Sequence, residues 1–484
     1  MSTRIVAGVD SSTQSTKALL VDAEDGSVLA AGRAGHRVSG AAGARESDPE
    51  QWWDALREAL AGTGMAGEVA ALAVAGQQHG LVTLDAAGRP VRPAILWNDV
   101  RAAGQAARLV RALGAAEWAK RAGTVPVASL TAAKWAWLRE HEPEQAAATA
   151  AIRLPHDYLT QRLTGSPATD RGDASGTGWF GTGAGVYDGT ILGLPELRLD
   201  PGRLPPVLAP DAAAGAVTPA AATDLGLPAG ALVGAGTGDN MAAALGLGLR
   251  PGEPVLSLGT SGTVYTVSAR PPADPTGTVA GFADATGRYL PLACTLNCTQ
   301  AVDRLATLLG LDRDDVEPGG EVVVLPFLDG ERTPNLPLAA GLVTGLRHGT
   351  TPGQVLRAGY EGAAYALLRA LAEVLTQADA PAGEAVGEPG PLVLVGGGAR
   401  GAAWRDTVRR LSGRPVLVPD ATELVALGAA VQAAWCLTGT PPDQLTAAWA
   451  TRRGRLWEPL PLDRPALDRI AATLRRATPL LSRP

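Results

Sequence analysis

The sequence predicts an α/β protein with two domains and a cleft between them, and three observations carry that prediction. About the first hundred residues alternate apolar strands with turns, and helical periodicity follows. The second half opens in the same way, with a strand, a small hydroxyl-rich turn and another strand. Later, "PLVLV" passes through three glycines into an amphipathic helix. Two halves that each begin with a phosphate-sized loop indicate a duplicated architecture, which 484 residues can accommodate.

The N-terminal elements follow from local patterns. "RIVAGV" and "KALLVD" are predicted strands, and the seven small or hydroxyl-bearing residues between them exceed what a plain hairpin turn needs. "AEDG" predicts the turn before a third strand, "SVLAAG". Asp48 and Pro49 predict the N-cap and first position of a helix, because both residue types favour these places. "VAALAVAG" predicts a buried strand, and residues 99–162 a mostly helical segment.

The second half is predicted to begin after the Pro/Gly-rich segment 246–254, giving domains 1–249 and 250–484. "EPVLSLGTSGTVYTVS" predicts two strands around a Gly-Thr-Ser-Gly turn. Segment 378–391 reads as a surface loop before the strand that leads into the triple glycine.

Composition excludes several classes of protein. Net charge is −6 and no basic tract occurs, which argues against a partner nucleic acid or a membrane-surface helix. Neither a signal peptide nor an apolar run of about 18 residues is present, so we expect a cytoplasmic protein without membrane spans. The three cysteines indicate buried thiols and no disulfide framework. Cys294 and Cys298 are four apart and are expected to be able to share a helix face.

"DSSTQSTK" carries the residue types that bind phosphate and a divalent cation. Asp10 at a strand end can hold Mg²⁺, while Thr13, its hydroxyl neighbours and Lys17 suit phosphate. The alternative is a polar turn with a structural aspartate. A Walker loop is excluded because the chain has no Gly-Lys pair, and "GTGMAG" at 62–67 follows a helix instead of the strand that a dinucleotide motif requires.

Asp239 follows a glycine-rich turn and precedes an apolar helical run. It is a candidate general base that accepts a hydroxyl proton as that oxygen attacks phosphorus. Helix capping is the competing interpretation, since aspartate is common at N-caps.

Gln78 and His79 end a buried strand, at the edge where α/β proteins bind ligands. They are candidates for hydrogen bonds to a polyhydroxy ligand, or else buried polar residues that other protein groups satisfy. Trp97 is either an aromatic face for a sugar or a core residue. Glu331 and Arg332, in "DGERTP", read as a structural pair or a loop latch.

These segments resemble the FGGY carbohydrate kinases from Ile5 to about Ala434. The resemblance rests on "GQQHG", "RPAILWND", "LPHDYLTQRLTG", "LSLGTSG", "FLDGERTP" and "LVGGGARGAAWRD". Segment 129–141 is similar to the first family signature, and segment 341–362 to the second, with Gly359 departing from it. The versions found here are most like those of members that phosphorylate D-xylulose, although many of these carry Met where Gln78 stands.

The resemblance implies a two-domain actin-like ATPase (ribonuclease H-like) fold, with mixed sheets flanked by helices. It implies ATP-dependent phosphorylation of a ketopentose, most closely D-xylulose, with Mg²⁺ near Asp10. Another ketose, a polyol or a sugar acid is the alternative substrate, and a non-catalytic nucleotide- or sugar-binding protein is a further alternative. A homodimer is an open expectation. The resemblance also implies a role for each matching residue. Asp10 is the acidic residue near phosphate and metal, Asp239 is the base, and the sugar contacts are Gln78, His79, Trp97, Asp239 and Asn240. The nucleotide is bound by the first phosphate loop with Thr13 and Lys17, the second with Thr260, and the adenosine side with Gly397, Gly398 and Ala402.

Overall fold

The computed structural model describes residues 4–378 and 390–482. The predicted surface loop at 378–391 therefore lies almost entirely outside the described residues. Two seven-stranded sheets dominate the fold, the first built from residues 5–238 and the second from residues 255–457. The predicted domain boundary at 249 and 250 falls between the two sheets and stays a prediction.

The N-terminal half contains short peripheral strands in addition to the large sheet. Its strands are β1 (Ile5–Ser11), β2 (Ser15–Asp22), β3 (Val28–Gly35), β4 (Glu46–Ser47), β5 (Val69–Gly76), β6 (Val82–Leu84), β7 (Ala94–Ile95), β8 (Ala151–Arg153), β9 (Thr169–Asp170), β10 (Phe180–Gly181), β11 (Val186–Tyr187), β12 (Val207–Leu208), β13 (Ala213–Ala216), β14 (Leu232–Gly234) and β15 (Thr237–Gly238). Its helices are α1 (Pro49–Thr63), α2 (Ala103–Leu113), α3 (Ala115–Ala122), α4 (Thr131–His141), α5 (Pro143–Ala148), α6 (Pro155–Thr164), α7 (Arg171–Ala174), α8 (Gly189–Leu192), α9 (Pro219–Leu225) and α10 (Asp239–Gly246).

The C-terminal half continues with the second sheet and its helices. Its strands are β16 (Val255–Leu258), β17 (Gly262–Tyr265), β18 (Ala280–Ala283), β19 (Tyr289–Thr295), β20 (Val323–Leu325), β21 (Leu342–Thr344), β22 (Leu392–Val395), β23 (Val416–Pro419) and β24 (Gly454–Trp457). Its helices are α11 (Thr299–Leu309), α12 (Pro352–Gln377), α13 (Ala402–Ser412), α14 (Leu424–Thr438), α15 (Pro442–Ala448) and α16 (Arg464–Leu481). Short 3-10 helices occur at Ala66–Glu68, Pro201–Arg203 and Gly397–Arg400.

The strand order confirms the predicted duplication. The first sheet contains the run β3-β2-β1-β5-β14, and the second contains β19-β17-β16-β22-β23. In both runs the first three strands are antiparallel and the following two pair in parallel. Parallel strands are joined by crossover connections, so the loops that follow them lie at one end of the sheet. The loop after β1 lies at that end of the first sheet, and the loop after β16 lies at that end of the second.

The first loop is shorter than the sequence predicted. Antiparallel pairing of β1 with β2 continues through Asp10–Lys17 and Ser11–Thr16, so that only residues 12–14 remain unpaired. The prediction of a seven-residue loop was wrong because small and β-branched hydroxyl residues fit a paired strand as well as a turn. The hairpin therefore holds Asp10 and Lys17 on rigid backbone.

The predicted start of α1 is confirmed. Asp48 is its N-cap, and the Asp48 Oδ1 atom accepts the backbone N–H of Glu50 at 3.0 Å, with Pro49 at the first position. Trp52 and Leu56, one turn apart, are fully buried on the inner face of the helix. The cap satisfies a donor that the helix itself leaves unpaired, and the apolar face attaches the helix to the first sheet.

Helix α14 joins the two halves, although its sequence follows the second sheet. A Cβ atom placed on Gly8 in β1 would lie 1.9 Å from the Ala426 carbonyl oxygen, and one on Gly428 would lie 1.8 Å from the Ala242 carbonyl oxygen. Glycine at these two positions therefore lets α14 approach both the first sheet and α10. One hydrophobic core consequently contains residues from both sheets, including Val6 and Val255.

The cysteine predictions had mixed outcomes. All three cysteines are free; Cys298 is buried, whereas Cys294 and Cys436 are half-buried. Cys294 lies in β19 and Cys298 precedes α11, so the expectation that they could share a helix face was wrong, because a strand ends between them. Among the described residues, no single helix is long and apolar enough to cross a membrane; α14 and α15 pass that test only as a pair, bent by 116°.

Candidate active site

Asp10 lies at the end of β1 with 4% of its surface exposed. Its Oδ1 atom accepts the Ser12 hydroxyl at 2.6 Å, and its Oδ2 atom lies 3.8 Å from the Lys17 Nζ atom. Burial raises the pKa of Asp10 above its ordinary value, while the Ser12 hydrogen bond and the Lys17 charge act in the opposite direction. A buried carboxylate that is incompletely compensated favours an added cation.

Lys17 connects the first hairpin to the second half of the molecule. Its Nζ atom donates to the Glu423 Oε2 atom at 2.6 Å, and Glu423 immediately precedes α14. On the other side of the hairpin, the Thr13 hydroxyl accepts the Trp97 indole N–H at 3.0 Å. Trp97 is 41% exposed, so it is not a core residue; its ring lies at the surface beside the hairpin.

Asp239 is the first residue of α10, and the N-cap is Gly238. The Asp239 Oδ1 atom accepts the backbone N–H of Asn240 at 2.8 Å and the Asn240 Nδ2 group at 2.9 Å. Burial, followed by repulsion from the Asp10 carboxylate, raises the pKa of Asp239 to about 7. A helix N-terminus normally favours a carboxylate, so burial prevails here, and the group can exchange a proton near neutral pH.

Gln78 contacts the same group of side chains. Its Oε1 atom accepts the Asn240 Nδ2 group at 2.9 Å, so Asn240 bridges Gln78 and Asp239. A Cβ atom on Gly238 would lie 2.7 Å from the Gln78 Cγ atom, which shows how closely the amide side chain covers that backbone. The Gln78 Nε2 group is buried and has no hydrogen-bond partner in the described part of the chain. This amide therefore remains a free donor at the site.

His79 has a left-handed backbone, with φ at 65°. Its Nδ1 atom lies 2.8 Å from the Gly176 carbonyl oxygen, which can only accept, so Nδ1 carries the proton and Nε2 is the acceptor of the neutral ring. Burial, reinforced by the Lys134 charge, lowers the pKa of His79 to about 3. The ring centroid lies 5.5 Å from that of Phe282, so the imidazole is in contact with the second half.

The second group of predicted residues lies on the second sheet, and one of them, Gly397, lines a cavity there. Thr260 is exposed in the turn between β16 and β17, and the Gly259 carbonyl oxygen in that turn accepts the Thr299 hydroxyl at 2.7 Å. A Cβ atom on Gly396 would lie 2.8 Å from the Leu258 carbonyl oxygen, so the glycine turn after β22 lies directly against the end of β16. Ala402 begins α13 just beyond that turn.

Gly397 faces open space, with no atom within 4 Å of a Cβ placed there, whereas Gly398 lies against Leu258 and Thr299. A cavity of about 270 Å³ extends from this turn. Its lining comprises Leu394, Val395, Gly396, Gly397, Ala399, Arg400, Val418, Pro419, Ala421, Thr422 and Leu424. The two groups of predicted residues meet where Lys17 binds Glu423, directly beside the cavity-lining Leu424.

A separate cavity of about 500 Å³ lies behind α10, between Met241 and a rim that includes Arg250 and Arg288. It contains none of the predicted site residues. Of the predicted site residues, Gly397 lines the smaller cavity, and the others lie outside both linings.

Sequence reasoning missed three functional neighbours. Glu423 has no local signal, because its role depends on contact with Lys17, 406 positions away. Lys134 lies within the signature-like segment and carries a compositional signal, since the chain retains only three lysines. His156 lies within the family-like segment "LPHDYLTQRLTG"; its Nε2 atom is 3.2 Å from the Asp157 Oδ1 atom and 3.4 Å from the Asp170 Oδ1 atom, all of them buried.

Glu331 behaves as the loop latch that the sequence suggested. It is 1% exposed, and its carboxylate accepts the backbone N–H of Leu296 at 2.6 Å and the Asn297 Nδ2 group at 3.0 Å. Arg332 is exposed and does not pair with it through its side chain in the described structure.

The chain has two duplicated α/β halves with small-residue loops at matching strand ends, and burial raises the pKa of the Asp239 carboxyl to about 7. These features are those of a two-domain phosphotransferase with the actin-like ATPase fold. The N-terminal domain model of the FGGY family of carbohydrate kinases matches residues 5–246, and the C-terminal domain model of that family matches residues 255–437. The chain belongs to the FGGY family of carbohydrate kinases, and it uses ATP and a sugar as substrates.

Individual relatives agree with this assignment. A xylulose kinase of Streptomyces rubiginosus is 61% identical, covering 99% of this chain and 98% of that protein. A xylulose kinase of Streptomyces coelicolor is 62% identical with the same coverage. The crystal structure of xylulose kinase from Bifidobacterium adolescentis is 36% identical with a TM-score of 0.84, covering 97% of this chain and 99% of that one. The predicted fold class is confirmed.

Proposed function

We propose that this chain transfers the γ-phosphoryl group of ATP to the terminal hydroxyl of D-xylulose, forming D-xylulose 5-phosphate. The identity of the sugar is supported by the two Streptomyces xylulose kinases, which match almost the whole chain at 61% and 62% identity. The observation that carries the chemistry is the Asp239 carboxylate, whose pKa of about 7 suits a general base at neutral pH.

Asp239 accepts the proton of the attacking hydroxyl. Its Oδ1 atom is held by two donors from Asn240, which leaves Oδ2 for the sugar. Removal of the proton as the oxygen approaches phosphorus raises the nucleophilicity of that oxygen. The same burial that raises the pKa of Asp239 makes its anion a stronger proton acceptor than an exposed aspartate.

Gln78, His79 and Trp97 recognise the sugar. The free Nε2 group of Gln78 donates to a hydroxyl or carbonyl oxygen, and the His79 Nε2 atom accepts from a hydroxyl. The exposed face of Trp97 suits the apolar C–H surface of a ketose. These side chains are fixed by protein contacts on their other sides, which lowers the entropic cost of ordering them around a ligand.

The loops of both halves bind the nucleotide. Thr13, Lys17 and Thr260 lie on two tight hairpins whose hydroxyls, amides and ammonium group suit phosphate oxygens. Gly397 leaves open space at the cavity of about 270 Å³, a volume close to the lower limit for small-ligand sites. With Gly398 and the helix start at Ala402, this turn forms the adenosine side of the site.

Asp10 fits the role of a Mg²⁺ ligand. It is buried, its pKa is raised by that burial, and a single protein carboxylate suffices where substrate phosphates and waters complete the coordination. Mg²⁺ bound there would neutralise negative charge on the phosphates. A cytoplasmic location and a possible homodimer remain predictions from the sequence.

The proposal is tested by measuring ADP release with D-xylulose, D-ribulose, gluconate and glycerol. We expect the highest kcat/KM with D-xylulose, and we expect Asp239→Ala to lower kcat at least about 100-fold, the scale of general-base catalysis. Asp314→Ala, which removes an exposed carboxylate, is the matched control and should keep full activity.

Three results discriminate between the alternatives. Preference for another sugar would assign the chain to a different substrate of the same family. Nucleotide binding without sugar-stimulated ADP release would instead support the non-catalytic interpretation. Near-native turnover of Asp239→Ala would refute the assignment of the base.

A further inference from the structure

Lys134 is a fully buried lysine, with 0% of its surface exposed, on the first turn of α4. It makes no ion pair within 4.0 Å among the described residues. Burial of an ammonium group without a direct counter-ion is costly, so the lysine must supply something that an apolar residue cannot.

The Lys134 ammonium group donates hydrogen bonds to two backbone carbonyls. Its Nζ atom donates to the His79 oxygen at 2.8 Å and to the Ser129 oxygen at 2.5 Å. The Thr131 hydroxyl, one turn earlier on α4, donates to the same His79 oxygen at 3.1 Å. Two donors from one helix therefore bind the backbone carbonyl of His79, a residue predicted from the sequence to bind the sugar.

His79 needs such support because its backbone is left-handed. A φ of 65° costs about 1 kcal/mol for a residue with a side chain, so the conformation persists only where neighbours hold it. The imidazole is constrained in turn, since a Cβ on Gly176 would lie 2.5 Å from the His79 Nδ1 atom. Fixing the carbonyl on one side and the ring on the other determines where the Nε2 atom points.

A lysine suits this place better than an arginine. Its compact ammonium group reaches two carbonyls at one point, whereas a guanidinium spreads its donors over a plane. Burial lowers the pKa of Lys134 to about 7, and the charges of Asp99 and Asp173 act in the opposite direction by favouring the protonated form. The chain uses arginine almost throughout and has only three lysines, of which Lys134 is one.

We propose that Lys134, together with Thr131, is a positioning residue for sugar recognition, which holds the His79 backbone so that the imidazole Nε2 atom faces the sugar. The inference rests on the proposed function, because it requires His79 to bind the sugar. It gives the signature-like segment 129–141 a physical role that composition and periodicity did not reveal.

The first test compares Lys134→Met with Lys120→Met, the same substitution at an exposed lysine of α3. The loss of one donor to a buried carbonyl is expected to raise the KM for D-xylulose about tenfold or more, with a smaller change in kcat and in the KM for ATP. Lys120→Met should match the wild type in all three constants. An unchanged KM for D-xylulose in a folded Lys134→Met protein, beside an active wild type, would overturn the inference.

Thr131→Val is the second variant, because it keeps the lysine and the shape of the side chain if Lys134→Met fails to fold. Its KM for D-xylulose should rise about threefold or more, since one neutral donor is lost. A KM equal to that of the wild type would contradict the role assigned to Thr131 and Lys134.

The second readout does not need the reaction. The chain contains five histidines, so the nitrogen shifts of each imidazole can be assigned by NMR. In the wild type His79 should show a protonated Nδ1 and a bare Nε2; in Lys134→Met this single tautomer should be lost or averaged. If the wild type lacked sugar kinase activity while Lys134→Met still altered the His79 tautomer, the proposed function alone would be refuted. An active wild type with an unchanged His79 signal in Lys134→Met would refute the positioning role.

Discussion

Replacement of Asp239 by Asn should abolish turnover and, at the same time, stabilise the folded chain at neutral pH. The pKa of Asp239 rises from 3.8 to about 7 because the carboxyl is buried and faces Asp10. Between these two pH values the folded chain keeps a proton that the unfolded chain has already lost. The contribution of this group to the free energy of unfolding is therefore complete below about pH 4 and is lost as the pH rises through about 7.

The size of the effect follows from the same numbers. A pKa difference of one corresponds to about 1.4 kcal/mol, so the full rise of the Asp239 pKa would cost the fold about 4 kcal/mol above pH 7. Asp239 remains partly exposed to the cleft, and solvent screening reduces this to about 1–3 kcal/mol. Asn keeps an oxygen that can accept from Asn240, so its main change is the removal of the charge.

The assay is calorimetric unfolding of the ligand-free wild type and Asp239→Asn proteins at pH 5.5 and pH 8, beside ADP release at both pH values. We expect the variant to unfold at a higher temperature than the wild type. The difference between their unfolding temperatures should be larger at pH 8 than at pH 5.5. The wild-type kcat/KM should fall about tenfold per pH unit below an apparent pKa near 7, because only the ionised carboxylate accepts a proton. If the difference in unfolding temperature did not grow with pH, or if kcat/KM stayed constant down to pH 5, Asp239 would not have a raised pKa.

Three further substitutions and one control variant test the fold and the site. Gly428→Ala should lower stability by about 3 kcal/mol or more, seen in urea unfolding, because α14 cannot then approach Ala242; Gly104→Ala, which faces open space in α2, should be neutral or slightly stabilising. His156→Gln should destabilise by about 3 kcal/mol, since three buried carboxylates lose their counter-charge, and an unchanged urea midpoint would contradict this. Lys17→Met should raise the KM for ATP about tenfold, and a KM within twofold of the wild type would exclude a phosphate contact.

Helix α14, which lies between the two halves, contacts elements that carry predicted site residues of the first half. Asp239, the proposed base, is the first residue of α10, and α10 lies against α14 without side chains between their closest backbones. The Lys17–Glu423 bond ties the first hairpin to the start of the same α14 helix. Helix α14 therefore contacts both the helix that carries the proposed base and the hairpin proposed to bind phosphate.

Much of the local structure was readable from the chain. The Asp48 cap, the buried strand at 69–76 and the strand–turn–helix around the triple glycine each depend on residues within a few positions. The first loop was predicted too long, because hydroxyl residues do not by themselves distinguish a turn from a paired strand. Periodicity also could not decide whether Trp97 was in the core, since its exposure depends on the hairpin that it meets.

Strand and turn preferences act between near neighbours, so the two α/β halves, the order of their loops and the candidates for chemistry could be predicted from the sequence. What those candidates can do depends on contacts that form only in the folded chain. Burial and repulsion from Asp10 raise the pKa of Asp239 to about 7 only in the folded chain, and the Lys134 side chain reaches the His79 carbonyl from 55 positions away. Burial and hydrogen-bond geometry arise between segments that are distant in the chain, so no local pattern can encode them.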